Sequence, residues 1–209
     1  MPKAFSEDER EHIRIRLLEV GKRLINAMGV RRLVVDDLVR EAGIAKGSFY
    51  LFFPSREEFI LSVFEAWEAE YRGTLIRNVT EGTGTARERL ERFFRGAFEL
   101  LEREPGLARL GSKDIQVLMD RLPPERLAAH QAADGEVIRE TLRRWIAEGL
   151  LAEDASEAFR GVFVAIFSIA MHREDFPDGG YGPTVRLISE ALALRFAPAE
   201  KGREVGHGE

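Results

Sequence analysis

The stretch Ala42 to Phe59, AGIAKGSFYLFFPSREEF, constrains the chain more than any other. Gly43 stops a short polar helix that begins near Val35, because glycine accepts the positive φ with which helices commonly end. A second short helix is predicted from about Ala45 to Phe52. Pro54 ends it, since the residue before a proline is pushed out of the α region. Ser55 and Glu58 then stand at capping-box spacing for a third helix. Two helices of about two turns each, a tight turn and a strongly capped successor form the layout of a helix-turn-helix over about residues 33–52. Lys46, Gly47, Ser48 and Tyr50 fall on one side of the second helix, a small and polar face fit to approach a DNA groove. Phe49, Phe52 and Phe53 fall mainly on the other and can anchor it from behind.

The net charge of −5 over 209 residues looks wrong for a DNA binder until it is divided. Residues 1–60 hold 11 Lys and Arg against 10 Asp and Glu, whereas the remainder holds 20 against 26. The acid therefore lies mostly outside the helix-turn-helix, which permits a local basic face without demanding one. Cysteine is absent, which excludes disulfides, thiol catalysis and cysteine zinc sites. The opening MPKAFSEDER has no apolar core of the kind a signal peptide needs. The apolar run Gly161–Ala170 is far shorter than the roughly 20 residues that span a bilayer. A cytoplasmic location is expected.

Along the chain, Ser6 and Glu9 form a capping box for a first helix beginning near Glu7, and Leu17, Val20, Leu24 and Met28 give it a buried stripe. Arg10, His12 and Arg14 near its start suit either a solvated face or phosphate contact. Gly29 ends it. The second helix spans Val35 to Ala42, and the fourth runs from about Arg56 to near Val79. Gly82, Thr83 and Gly84 break the pattern and mark a domain boundary that the fourth helix bridges. Thr85 and Glu88 cap a fifth helix. Pro105 and Gly106 mark a turn, followed by a short helix or two to about Arg121. Pro124 opens a long helix to about Glu148 with Val137, Ile138, Leu142, Trp145 and Ile146 as its apolar face. Asp154 and Glu157 are placed to cap a further helix to about His172, apolar nearly all round. The last helix is predicted from about Thr184 to Phe196, with Val185, Ile188 and Leu192 on one stripe and Leu187, Ala191 and Leu194 on another. A helix with two apolar stripes must bury both: one in its own domain and the other against a partner, for which a second copy of the chain is the natural candidate, or both inside a wholly intramolecular core. No segment alternates apolar and polar residues, so the fold class is all-α, with about nine helices. The tail 198–209 lacks periodicity and is expected to be disordered.

The helix 1 cap and stripe, the run VDDLVREAGIAKGSFYLFFPSREEF and the long fourth helix resemble the TetR/AcrR family of bacterial transcription regulators. The resemblance covers about residues 10–70 by motif, and the remainder only by helix number, length and order. It implies a DNA-binding domain at 10–70 and a ligand-binding and dimerisation domain at 83–197. It also implies a homodimer on operator DNA with two half-sites, and a small-molecule effector. Lys46, Gly47 and Ser48 fall where family members approach bases and phosphates; Tyr50 and Arg56 fall where a tyrosine and a basic residue commonly bond phosphates. Val34 departs from a frequent threonine and Phe52 from a frequent histidine or tyrosine, which removes polar contacts. The family's final two helices form its dimer interface, here implicating Phe167, Ile188, Ala191 and Leu194.

Phe64, Trp67, Tyr71, Phe94, Phe98, Met119, Trp145 and Phe163 supply apolar surface for a ligand cavity or simply fill the core. An enzyme is the competing class, but no nucleophile elbow, phosphate-binding glycine loop or dinucleotide fingerprint is present, so no catalytic residue and no cofactor is assigned. A helical interaction module without DNA binding is the third reading. His12, His130, His172 and His207 are scattered. His130 or His172 can still meet an acid in a metal site, although a surface or satisfied core histidine is the ordinary reading and no metal is expected.

Overall fold

A computed structural model describes residues 6–103 and 112–199, which are helical and contain no strand. The α-helices are α1 (Glu7–Met28), α2 (Val35–Ala42), α3 (Lys46–Phe49), α4 (Arg56–Thr80), α5 (Ala86–Arg103), α6 (Ser112–Met119), α7 (Pro124–Ala147), α8 (Ser156–Met171) and α9 (Tyr181–Phe196), with short 3₁₀ turns at Val30–Arg32, Glu153–Ala155 and Arg173–Asp175. The expected turn at Pro105 and Gly106 and most of the tail 198–209 lie outside the described residues.

Local signals set most boundaries. Ser6 and Glu9 form a complete capping box on α1, and Thr85 and Glu88 exchange the same pair of bonds before α5. Gly43 takes φ 70°, ψ 34°, and the Ile44 N–H donates to the Val39 carbonyl at 3.0 Å, the six-to-one bond of a Schellman ending. Four expectations are corrected. α3 is a single turn ending at Phe49; the chain continues to Phe52 by three-residue bonds, from Leu51 to Ser48 and from Phe52 to Phe49. Asp154 does not cap α8, because residues 153–155 wind into a 3₁₀ turn that makes Ala155 the cap and Asp154 pairs with Arg195 at 2.6 Å. α9 begins at Tyr181, three residues early, and takes Gly182 and Pro183 into its first turn, where a missing N–H costs nothing. Val137 points outward from α7, 41% exposed, rather than joining its apolar face.

Two buried clusters hold the molecule together, and α4 belongs to both. Its residues Phe59, Ile60, Val63 and Trp67 pack with Leu17 and Ile25 of α1, Leu38 of α2 and Phe49 of α3. Further along, Leu75 and Val79 join Phe93, Phe94 and Phe98 of α5, Trp145 of α7, Phe159 of α8 and Phe196 of α9. α5 is the axis of this second body, packed against α4, α8 and α9. α1 approaches α4 closely because Gly21 is buried there: a Cβ on it would stand 2.5 Å from Phe59 Cζ and 2.9 Å from Val63 Cγ2. The changeover between clusters thus falls within α4 rather than in the glycine loop at 82–84, and Leu118 and Leu122, far along the chain, complete the first cluster.

Candidate functional site

The short α3 is held by its aromatic back. Phe49 and Phe53 are buried and meet Phe59 of α4 at centroid distances of 5.5 and 4.9 Å, edge to face. Such pairs stabilise by about 0.5–1.5 kcal/mol beyond their buried area, which compensates a helix too short to persist alone. Arg10 and Arg14 of α1 lie over the Phe52 and Phe53 rings at 5.4 and 5.8 Å, so α1's basic residues cover this aromatic cluster.

The opposite side faces out. Lys46 and Gly47 are exposed, Ser48 is half-buried, and Tyr50 is 49% exposed, its ring edge on Phe49. No atom lies within 4 Å of the place a Gly47 Cβ would occupy, so the backbone there is open to close approach. The structure therefore gathers four of the five expected DNA-contacting residues on one exposed surface. Lys46 Nζ is engaged, however, 2.9 Å from Asp36 on α2, and that carboxylate holds the ammonium above its ordinary pKa. Arg56 does not join the four. Its Nε donates to the Leu33 carbonyl at 2.6 Å, Nη2 donates to the Val30 carbonyl, and Nη1 pairs with Glu57 at 3.1 Å. It clasps the turn before α2 to the start of α4, a role no local sequence signal announces because its partners are 23 and 26 residues away.

Behind this surface an ionic seam ties α4 to the segment 121–134. Arg121 reaches Glu57 at 3.4 Å. Arg126 reaches Glu58 at 3.0 Å and holds Glu65 through both guanidinium nitrogens at 2.8 and 2.6 Å. Arg72 meets Asp134 at 2.9 Å. Glu58 is thereby drawn away from the capping box, which is only half made: Ser55 accepts from the Glu58 N–H, and the Glu58 carboxylate goes to Arg126. His130, which reads on sequence as an ordinary histidine, is flanked by Glu65, Glu68 and Asp134 at 3.3, 3.9 and 3.6 Å. Burial and the neighbouring Asp134 push the Glu68 carboxyl up to about 7, although its side chain keeps 46% exposure.

The eight residues proposed for a ligand cavity divide evenly. Trp67, with Phe64, Tyr71 and Met119, belongs to the first cluster; Phe94, Phe98 and Trp145, with Phe163, belong to the second. The Phe94, Phe98 and Trp145 side chains are wholly buried, and the indole N–H of Trp145 meets Thr80 Oγ1 at 3.4 Å. A groove of about 540 Å³ opens on the first body between the turn after α1, the start of α4 and α6, walled by Val30, Arg31, Glu57, Val117 and Arg121, and none of the eight lines it.

The proposed dimer residues also divide. Val185 and Phe196 of α9 are buried in their own body, and Ile188 is half-buried and packs against it. Ala191 and Leu194 face out with Leu187; Leu187 and Leu194 are 67% and 62% exposed. On α8, Phe167 is half-buried and Val164 is 67% exposed. Both helices, each packed on α5, thus leave apolar side chains uncovered.

Residues 17–63 match the family model described as bacterial regulatory proteins, tetR family. The chain is 32% identical over 94 residues to the HTH-type transcriptional repressor NemR of Escherichia coli (strain K12), a match covering 45% of each chain. It spans about half the length of the curated relatives it matches. The fold continues beyond that shared part. The structure of RolR in complex with resorcinol aligns over 92% of this chain and 91% of its own, with a TM-score of 0.60 at 19% identity. That of FadR from Bacillus subtilis in complex with stearoyl-CoA covers 86% and 95%, with a TM-score of 0.59 at 19% identity. The chain thus carries, in its first third, the helix-turn-helix domain of the tetR family of bacterial regulatory proteins, on a helical body that shares the fold of these solved structures.

Proposed function

We propose that this chain is a homodimeric transcriptional repressor, working in the cytoplasm, that leaves its operator when a small, largely apolar ligand binds. The observation that carries the reading is the exposed face Lys46, Gly47, Ser48 and Tyr50, built on a helix whose other side is locked by Phe49 and Phe53. Residues 10–70 are the DNA-binding part and 83–197 the ligand-binding and dimerising part. Lys46 and Tyr50 serve phosphates, which position the protein, while Ser48 and the bare backbone at Gly47 approach base edges, which carry the sequence information.

The uncovered stripe of Leu187, Ala191 and Leu194 on α9, with Val164 and Phe167 on α8 also incompletely buried, supports a dimer whose two α3 helices read half-sites one DNA turn, or a multiple, apart. RolR has been solved with resorcinol, an aromatic diol, and FadR from Bacillus subtilis with stearoyl-CoA, which carries a long acyl chain. By analogy the effector here binds near Phe163 of the second body or at the α4 residues Phe64, Trp67 and Tyr71 of the first. α4 is the means of transmission, because it starts at Ser55 beside α3 and ends in the second cluster at Val79. A ligand shifts such an equilibrium only by its difference in affinity for the two states, typically about 1–3 kcal/mol.

Fluorescence anisotropy with DNA fragments from the chain's own promoter region tests the reading. It expects one fragment bound with a stoichiometry of two chains and far more tightly than the rest. Equal, weak affinity for every fragment would point to a helical module without operator recognition.

A further inference from the structure

We propose that Glu68 of α4 with His130 and Asp134 of α7 forms a binding site for a divalent first-row transition ion, zinc in type, that fastens the two helices together. One donor atom from each of the three residues lies within 4.8 Å of the others. His130 Nε2 stands 3.6 Å from Asp134 Oδ2 and 3.9 Å from Glu68 Oε2. Metal–nitrogen and metal–oxygen bonds of about 2.0–2.2 Å in tetrahedral array place donors roughly 3.4 Å apart. The two distances from His130 Nε2 are within about half an ångström of that spacing, so side-chain adjustment brings the set onto one ion.

Three further features favour an ion over a plain cluster of ion pairs. The first is the ring's other nitrogen. His130 Nδ1 lies 3.3 Å from Glu65 Oε1, and Glu65 is itself held by both ends of Arg126. A carboxylate at the non-ligating nitrogen orients the ring and fixes which nitrogen offers its lone pair, as around ligating histidines generally. The second is the division of Asp134: Arg72 takes Oδ1 at 2.9 Å and leaves Oδ2 for the site. The third is charge. Among the described residues, the carboxylates of Glu58, Glu65, Glu68 and Asp134 gather round the guanidinium groups of Arg72 and Arg126, an excess of negative charge that a dication balances. One imidazole with two carboxylates suits zinc and its neighbours better than magnesium or calcium, which take oxygen alone. Three protein ligands leave a fourth place for water, and the exposed Glu68 gives the ion a way in from solvent.

The test uses the full chain and needs no DNA, so its outcome is independent of the operator reading. Cobalt(II) is titrated and its visible d–d absorption followed, then zinc is added in competition. The expected result is one ion per chain, a tetrahedral or five-coordinate cobalt spectrum, and a melting temperature raised by zinc. His130→Gln should weaken binding at least tenfold, and Glu65→Gln about 10- to 100-fold through the orienting contact alone. His172→Gln should change nothing, since that exposed ring bonds its own helix at the Ser168 carbonyl. Asp134→Asn, which retains Oδ1 for Arg72, is the second ligand variant should His130→Gln fold poorly. Octahedral cobalt bound equally by wild type, His130→Gln and Asp134→Asn, or no binding to the wild type, would overturn the proposal.

Discussion

Replacing Leu194 with arginine puts a charge into the stripe that α9 leaves uncovered. Full burial of a leucine side chain is worth about 1.5–3 kcal/mol, and Leu194 has 62% of its surface still to bury. Covering it against a second copy therefore contributes roughly 1–2 kcal/mol per chain, or about 2–4 kcal/mol for a two-fold interface in which the residue appears twice. Losing that amount raises the dissociation constant about 30- to 700-fold, at 1.4 kcal/mol per factor of ten. Desolvation of the arginine adds to the effect. Sedimentation velocity over a concentration series measures it, and Leu194→Arg should sediment as a folded monomer whose melting temperature no longer depends on protein concentration. Ile188→Arg should behave differently, lowering the melting temperature, because Ile188 packs in its own body. A Leu194→Arg protein that associates as tightly as wild type would refute the assignment of this stripe to the dimer.

Other substitutions separate roles that the sequence leaves merged. Gly21→Ala should destabilise the first body by about 1–3 kcal/mol in denaturant titration, since its Cβ would overlap Phe59 and Val63 in a packed core. Arg56→Gln should lower stability by about 1–3 kcal/mol, leaving the Val30 and Leu33 carbonyls short of a donor. It should leave the salt dependence of DNA binding unaltered, whereas a reduced salt slope would restore Arg56 to the phosphate contacts. Asp36→Asn should tighten binding to all DNA sequences by a similar factor in anisotropy titrations, because it frees Lys46 and removes a negative charge beside it; unchanged affinity would show that the Lys46–Asp36 pair does not compete with DNA.

What the sequence discloses here is whatever depends on neighbours within one turn. The bounds of α1 and α2 follow from Ser6, Glu9 and Gly43, whose partners lie three to five residues away. The aromatic spacing at Phe49, Phe53 and Phe59 likewise gives the anchored back of α3. Three misreadings, at Asp154, Glu58 and Arg56, have distant partners. Asp154 looks like a cap until Arg195, 41 residues on, takes its carboxylate. Glu58 looks like half a capping box until Arg126 draws it off, and Arg56 looks like a phosphate ligand until its carbonyl partners are seen. The two stripes of α9 are legible from periodicity, but which one faces inward depends on where α5 lies, and periodicity does not encode that. His130 shows the same limit: Asp134 is visible four residues away, while Glu65 and Glu68 arrive only when α7 packs on α4.

The central claim, that the exposed face of α3 binds DNA through phosphate and base contacts, is tested most directly by titrating the full chain against its promoter fragment over a salt series. The logarithm of the association constant should fall linearly with the logarithm of salt concentration. Lys46→Ala and Tyr50→Phe should weaken binding to every sequence, and losing the Lys46 contact should reduce that slope by about one unit. Substitution of Ser48 should instead change which fragment is preferred while keeping the slope. Salt-independent binding, or Lys46→Ala and Tyr50→Phe proteins that match wild type across the series, would contradict the account.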